Sequence, residues 1–158
     1  MSINLCDTID DPYCRYKMPR ITLKHEGRGN GVKTLLKNLQ DVSNSLHRNA
    51  DDILAYLAAE LSVCSLHKNN DYIINGTFSE NVVQDIITAF VRTHVLCNEC
   101  KNPETSFSLG KAKKKDETLF KDCMACGAKT RVRDHKINKR ILQTLASSTS
   151  KQLYSSSQ

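Results

Sequence analysis

Residues 97–127 read CNECKNPETSFSLGKAKKKDETLFKDCMACG. Two Cys-x-x-Cys pairs, Cys97 with Cys100 and Cys123 with Cys126, are separated by 22 residues. Four thiolates so spaced can close a tetrahedron around Zn²⁺, because each short turn lets two sulfurs face the same ion. Gly127 supplies the backbone freedom that the second knuckle needs. A thioredoxin-type redox pair explains one Cys-x-x-Cys but not two at this distance, so a closed site is the better reading. Phe107 and Leu109 lie before the basic run at residues 111–115, and Leu119 and Phe120 after it. Thr130, Arg131, Val132 and Arg133 follow the second pair. This pattern predicts a three-stranded zinc ribbon over residues 96–135 with a basic hairpin tip and one structural Zn²⁺ per chain. So small a unit buries too little apolar surface to fold unaided, and the metal supplies much of its folding free energy. His94 and His135 are close in sequence but surplus to a four-sulfur set.

Upstream of the ribbon, residues 20–95 predict an α/β domain of strands with packed helices, making the chain α+β overall. Ile21 and Leu23 alternate with polar neighbours, and Val32, Leu35 and Leu36 follow a glycine-rich turn, so two strands joined by a loop are expected. Leu39, Val42 and Leu46 share one helical face. Asp51 can cap a second helix bearing Ile53, Leu54, Leu57 and Leu61. A hairpin is expected around residues 67–71, closed by Asn75-Gly76. Ser79 is a good N-cap for the most regular helix, which carries Val82, Val83, Ile86, Ile87, Phe90 and Val91 and is expected to run to about residue 94. Residues 1–19 are polar and acidic at first and read as a flexible arm. Residues 136–146 look like a C-terminal helix or extension, and the serine-rich residues 147–158 like a disordered tail.

The chain of 158 residues carries a formal charge of +6, unevenly spread. Residues 15–37 hold seven basic side chains against the single acid Glu26, and residues 97–146 are again strongly basic, while the segment between is acidic. Two basic patches around an acidic middle suit a polyanion met at two places. No run reaches the length of a membrane span, and the first residues lack the basic and apolar regions of a signal peptide. With an odd cysteine count of seven, metal binding in a reducing compartment is the expectation, and the chain is placed in the cytoplasm or nucleus. Cys6, Cys14 and Cys64 have no ligand spacing and read as small buried or surface thiols.

Glu26-Gly-Arg-Gly-Asn-Gly31 puts three glycines within five residues. That is a loop, whose exposed amides suit close approach to phosphates, although a solvated turn among surface lysines has the same composition. It lacks the phosphate-binding Gly-x-x-x-x-Gly-Lys-Ser/Thr pattern and the dinucleotide fingerprint. A zinc deaminase would need His-x-Glu ahead of its cysteines and an open metal position. The segment before Cys97 is Thr93-His-Val-Leu96, and no enzyme constellation emerges.

Four segments together resemble the N-terminal domain of eukaryotic translation initiation factor 5: Tyr13-Cys-Arg-Tyr-Lys-Met-Pro-Arg20, Glu26-Gly-Arg-Gly-Asn-Gly-Val-Lys-Thr34, Cys97-Asn-Glu-Cys-Lys-Asn-Pro-Glu-Thr105 and Asp122-Cys-Met-Ala-Cys-Gly127. The middle, Asp52 to Leu61, is closer to the related β subunit of initiation factor 2. The resemblance implies a GTPase-activating protein for the GTP-bound γ subunit of initiation factor 2, acting at start-codon recognition, with no catalytic site of its own. Arg15 matches the family's arginine finger, and Lys33 a supporting lysine. Lys24, Gly27, Arg28, Gly29, Asn30 and Gly31 match a loop that faces the start codon of the mRNA and the initiator tRNA on the small ribosomal subunit. A monomer with no membrane partner is implied. Ala55 stands where the family carries a lysine used in stimulating hydrolysis. It motivates the alternative of a module that binds the P site or initiation factor 2 and tunes start-codon selection with weak or no GTPase activation. The family's C-terminal helical-repeat domain is not within these residues, so the chain reads as a truncation or a short factor.

Overall fold

The computed structural model describes residues 2–5, 16–113 and 116–155. They fall into two compact units, Met1–Thr93 and His94–Gln158. In the first, β1 (Ser2–Asn4) pairs antiparallel with β2 (Lys17–Pro19), Ile3 lying opposite Met18. The pairing continues in a bond from the Leu5 amide to the Tyr16 carbonyl at 2.9 Å. Both described ends of the segment expected to be a flexible arm are therefore ordered. Their anchor is apolar: Leu5 and Met18 are buried, which the polar average of residues 1–19 conceals. Removing those two side chains from water offsets the entropy of ordering the strands.

The main sheet holds β3 (Leu23–Glu26), β4 (Lys33–Leu36), β5 (Ser65–Lys68) and β6 (Asp71–Asn75) in the order β3-β4-β6-β5, every pair antiparallel. Asn69 and Asn70, at φ 53 and 64°, make the two-residue turn between β5 and β6. Both must be left-handed for the turn to match the strand twist, and asparagine tolerates that region better than most residues. Helices α1 (Leu39–Leu46), α2 (Ala50–Leu61) and α3 (Glu80–Phe90) complete the unit, α2 packing on both of the others. Ile53, Leu57, Ile74, Val83, Ile87 and Phe90 are almost wholly buried, and Tyr56 meets Phe90 edge-to-face at 5.2 Å.

Side chains cap the starts of α2 and α3, and in one of them the capping residue differs from expectation. Ser79 accepts from the Val82 amide at the start of α3. At α2, however, Asn49 is the cap, its side chain accepting from the Asp51 amide at 3.0 Å. Asp51 instead meets His67 Nδ1 at 2.7 Å. Asparagine and aspartate cap about equally well, so only the chain path decides between them.

After α3 the backbone widens into a π-helical turn, Val91–Val95. The second unit then builds β7 (Thr105–Lys113), β8 (Asp116–Cys123) and β9 (Lys129–Arg131), antiparallel in the order β7-β8-β9. Gly110 lies so close beneath the Phe120 ring that a Cβ there would overlap it. Helix α4 (Asn138–Ser155) is much longer than expected, the serine-rich segment being helical through Ser155. Thr144 and Ser147 return their hydroxyls to the carbonyls of Arg140 and Gln143, which lets hydroxyl residues sit in a helix without competing for its amides. Among the described residues no helix is long and apolar enough to cross a membrane.

Candidate functional site

The four cysteines of the two pairs converge, as the spacing requires. All four sulfurs lie within 4.8 Å of one another. Cys97 Sγ is 3.7 Å from Cys126 Sγ, and Cys100 Sγ is 3.5 Å from Cys123 Sγ. A tetrahedron with metal–thiolate bonds of about 2.3 Å has edges of about 3.8 Å, so this donor set fits a tetrahedral divalent ion. Cys97 and Cys123 are buried while Cys100 and Cys126 are exposed.

Two knuckles of the same design present the sulfurs. Lys101 and Gly127 each follow the second cysteine of a pair, and both are left-handed, at φ 60 and 73°. In each turn that residue's amide donates to the carbonyl of the pair's first cysteine, at 3.1 Å. Amides also point at the sulfurs: Glu99 N lies 3.4 Å from Cys97 Sγ and Cys126 N lies 3.5 Å from Cys123 Sγ. Burial raises the Cys97 thiol, yet the amides of Cys100 and Glu99 and the thiols of Cys126 and Cys100 bring it down to about 7. The Asn102 amide lowers Cys100, but partial loss of hydration beside its neighbours and the sulfurs of Cys123, Cys126 and Cys97 push it up to about 12. One thiolate thus forms readily and opposes the next, and a cation that accepts all four removes the opposition.

His94 and His135 stand outside the sulfur set. His94 is buried, its Nε2 2.9 Å from Asn138 Oδ1 at the head of α4, and its ring lies 6.0 Å from that of His135. One residue absent from the sequence expectations belongs beside the site. Lys121 is 1% exposed and donates to the Leu96 carbonyl at 2.6 Å and to Asn98 Oδ1 at 3.2 Å. The alternation Leu119, Lys121, Cys123 along β8 is the signal that could have found it, since it puts a lysine on the buried face.

The glycine loop joins β3 to β4 in the first unit. Gly27 has φ 92°, and a Cβ there would overlap the Gly31 carbonyl oxygen. This position therefore excludes every other residue on two counts. A single 3₁₀ turn, Gly29–Gly31, closes against the Arg28 carbonyl. Lys24 on β3, Lys33 at the head of β4 and Arg28 in the loop are exposed. Lys24 pairs with Glu26 at 2.9 Å, and this bond and charge hold the Glu26 carboxyl below its ordinary value. Arg15, Cys6 and Cys14 lie outside the described residues; Cys64 is exposed, and Ala55 is half-buried on α2.

Residues 6–129 match the family described as the domain found in initiation factors 2B and 5. The chain is 42% identical over 153 residues to eukaryotic translation initiation factor 5 of Saccharomyces cerevisiae, covering 95% of this chain and 37% of that protein. It is 37% identical over 145 residues to the Drosophila melanogaster protein of the same name, covering 90% and 31%. Identity to the Mus musculus protein is 40% over 129 residues, covering 80% and 29%. The chain thus spans about a third of the length of these relatives.

Proposed function

The chain belongs to the family of the domain found in initiation factors 2B and 5, and from that premise we propose that it works in translation initiation as a GTPase activator for initiation factor 2. The observation that carries this reading is the β3–β4 loop: a glycine turn that tolerates no side chain at Gly27, edged by the exposed cations Lys24, Arg28 and Lys33. Such a loop can lay its backbone against nucleic acid while the cations meet phosphates. Both this loop and Arg15, which lies ahead of it in sequence, fall within the residues 6–129 that match the family. In this reading the loop faces the start codon and initiator tRNA on the small ribosomal subunit, in the cytoplasm.

Arg15 then acts in trans. Phosphoryl transfer spreads negative charge over the equatorial oxygens of the transferred group, and an inserted guanidinium stabilises that charge, raising the rate by about 10³ to 10⁵. A lysine would retain the charge but lose the planar fork. Zn²⁺ is the ion for the Cys97, Cys100, Cys123 and Cys126 set, since four thiolates leave no position for substrate and the site supports structure.

Single-turnover GTP hydrolysis in reconstituted initiation complexes tests the activity. Arg15→Met should lower the rate by about 10³ or more, and an unchanged rate overturns the activator reading. Ala55 favours the second reading, a binding module that tunes start-codon selection with weak activation. Ribosome binding without stimulated hydrolysis, together with a rate gain on Ala55→Lys, would select it.

A further inference from the structure

We propose that Lys121 is a positioning residue of the sulfur site: its buried ammonium fixes the first knuckle and places a positive charge beside the tetrathiolate. This rests on the reading of the four cysteines as a metal centre. Leu96 and Asn98, each of which accepts a bond from Lys121, flank Cys97 on either side. The ammonium thereby holds the backbone entering Cys97 and the side chain leaving it. Thr105 adds a second clamp, its hydroxyl donating to the Val95 carbonyl. On β8, Lys121 shares the buried face with Cys123 two residues later. One side chain thus links a ligand of the second pair to the turn that carries the first.

Electrostatics gives the lysine a reason to be there. Burying an ammonium is strongly unfavourable unless anions or oriented dipoles face it. Four thiolates around a divalent ion leave about two negative charges in excess, which is the complementary field. Hydrogen-bonded groups around metal ligands typically change metal affinity about 10- to 100-fold when removed. A lysine stem that packs only as a hydrophobe would instead be replaceable by methionine.

The test uses the full chain loaded with Zn²⁺ or Co²⁺. Lys121→Met should weaken Zn²⁺ binding about 10- to 100-fold in competition with a chromophoric chelator. It should also shift the sulfur-to-cobalt charge-transfer band to lower energy, because loss of a nearby cation raises the sulfur lone pairs. Packing alone does not move that band. Asn98→Ala, which leaves the charge in place, should cost only a few-fold in affinity and leave the band unshifted. If Lys121→Met does not fold with metal, Lys121→Gln keeps a donor for Leu96 and removes the charge, and the same band shift is expected. An unshifted band in the folded variant, or Zn²⁺ affinity within about threefold of the parent, overturns the proposal. A parent chain that binds neither ion overturns the metal-centre reading itself and this proposal with it.

Discussion

The two units reach stability by different means. Among the described residues, Met1–Thr93 lays three helices against a four-stranded sheet and has a largely apolar interior; His94–Gln158 has three strands, one long helix and a cluster of four cysteine sulfurs. Among the largest described side chains that are almost completely buried, only Leu119 and Lys121 belong to the second unit, and one of those is a cation. A unit that lacks apolar volume can still hold one conformation if ligand geometry replaces packing. Its loops then carry the constraint that helices carry in its neighbour. The contrast teaches where each half is vulnerable: the first through its core, the second through its knuckles.

The sharpest way to break the contrast is to take the metal away. Chelation should unfold β7 to β9 and leave the amide spectrum of the first unit unchanged, because metal binding contributes more than about 10 kcal/mol in small structural zinc domains. A ribbon that stays ordered without metal would erase the distinction. Next in size is Phe90→Ala, which empties the centre of the first core and should destabilise it by about 3–5 kcal/mol in urea unfolding. Zn²⁺ affinity of the second unit should not change; a parallel loss would mean that the halves do not differ as described. Smaller effects test the knuckles. Gly127→Ala meets no steric obstacle but keeps a left-handed backbone, and should cost about 1–2 kcal/mol. Because binding is folding in such a unit, that cost reads out as roughly 5- to 30-fold weaker Zn²⁺ binding. Lys101→Gly relieves the same conformation in the other knuckle and should strengthen binding by at most about as much.

Features legible in the chain are those in which neighbours in sequence decide. The α3 periodicity, the Ser79 cap and the Cys-x-x-Cys spacing are local patterns with a physical reading, and the structure carries each of them out. Expectations differ from the structure where a distant partner decides. Ser2–Asn4 is ordered by Lys17–Pro19, and no pattern within either triplet announces the other. Asn49 and Asp51 have the same capping chemistry, and Asp51 is drawn to His67 in a hairpin that follows α2. The tail beyond Ser147 has a composition that reads as disorder, yet it continues a helix whose start is anchored by buried Ile137 just before it, by Ile141 in its first turn and by the bond between Asn138 and His94.

The sequence by itself determined that four thiols would meet and that a glycine turn would separate two strands of a basic segment. Ligand spacing and backbone sterics act over a few bonds, and composition cannot disguise them. Only the tertiary structure decided that Lys121 would be buried and tied to Leu96 and Asn98. A lysine in a basic ribbon belongs by default in water. Its burial goes with the Leu96 carbonyl and the Asn98 side-chain oxygen, acceptors brought to it by another part of the chain that meet it only once the first knuckle is folded.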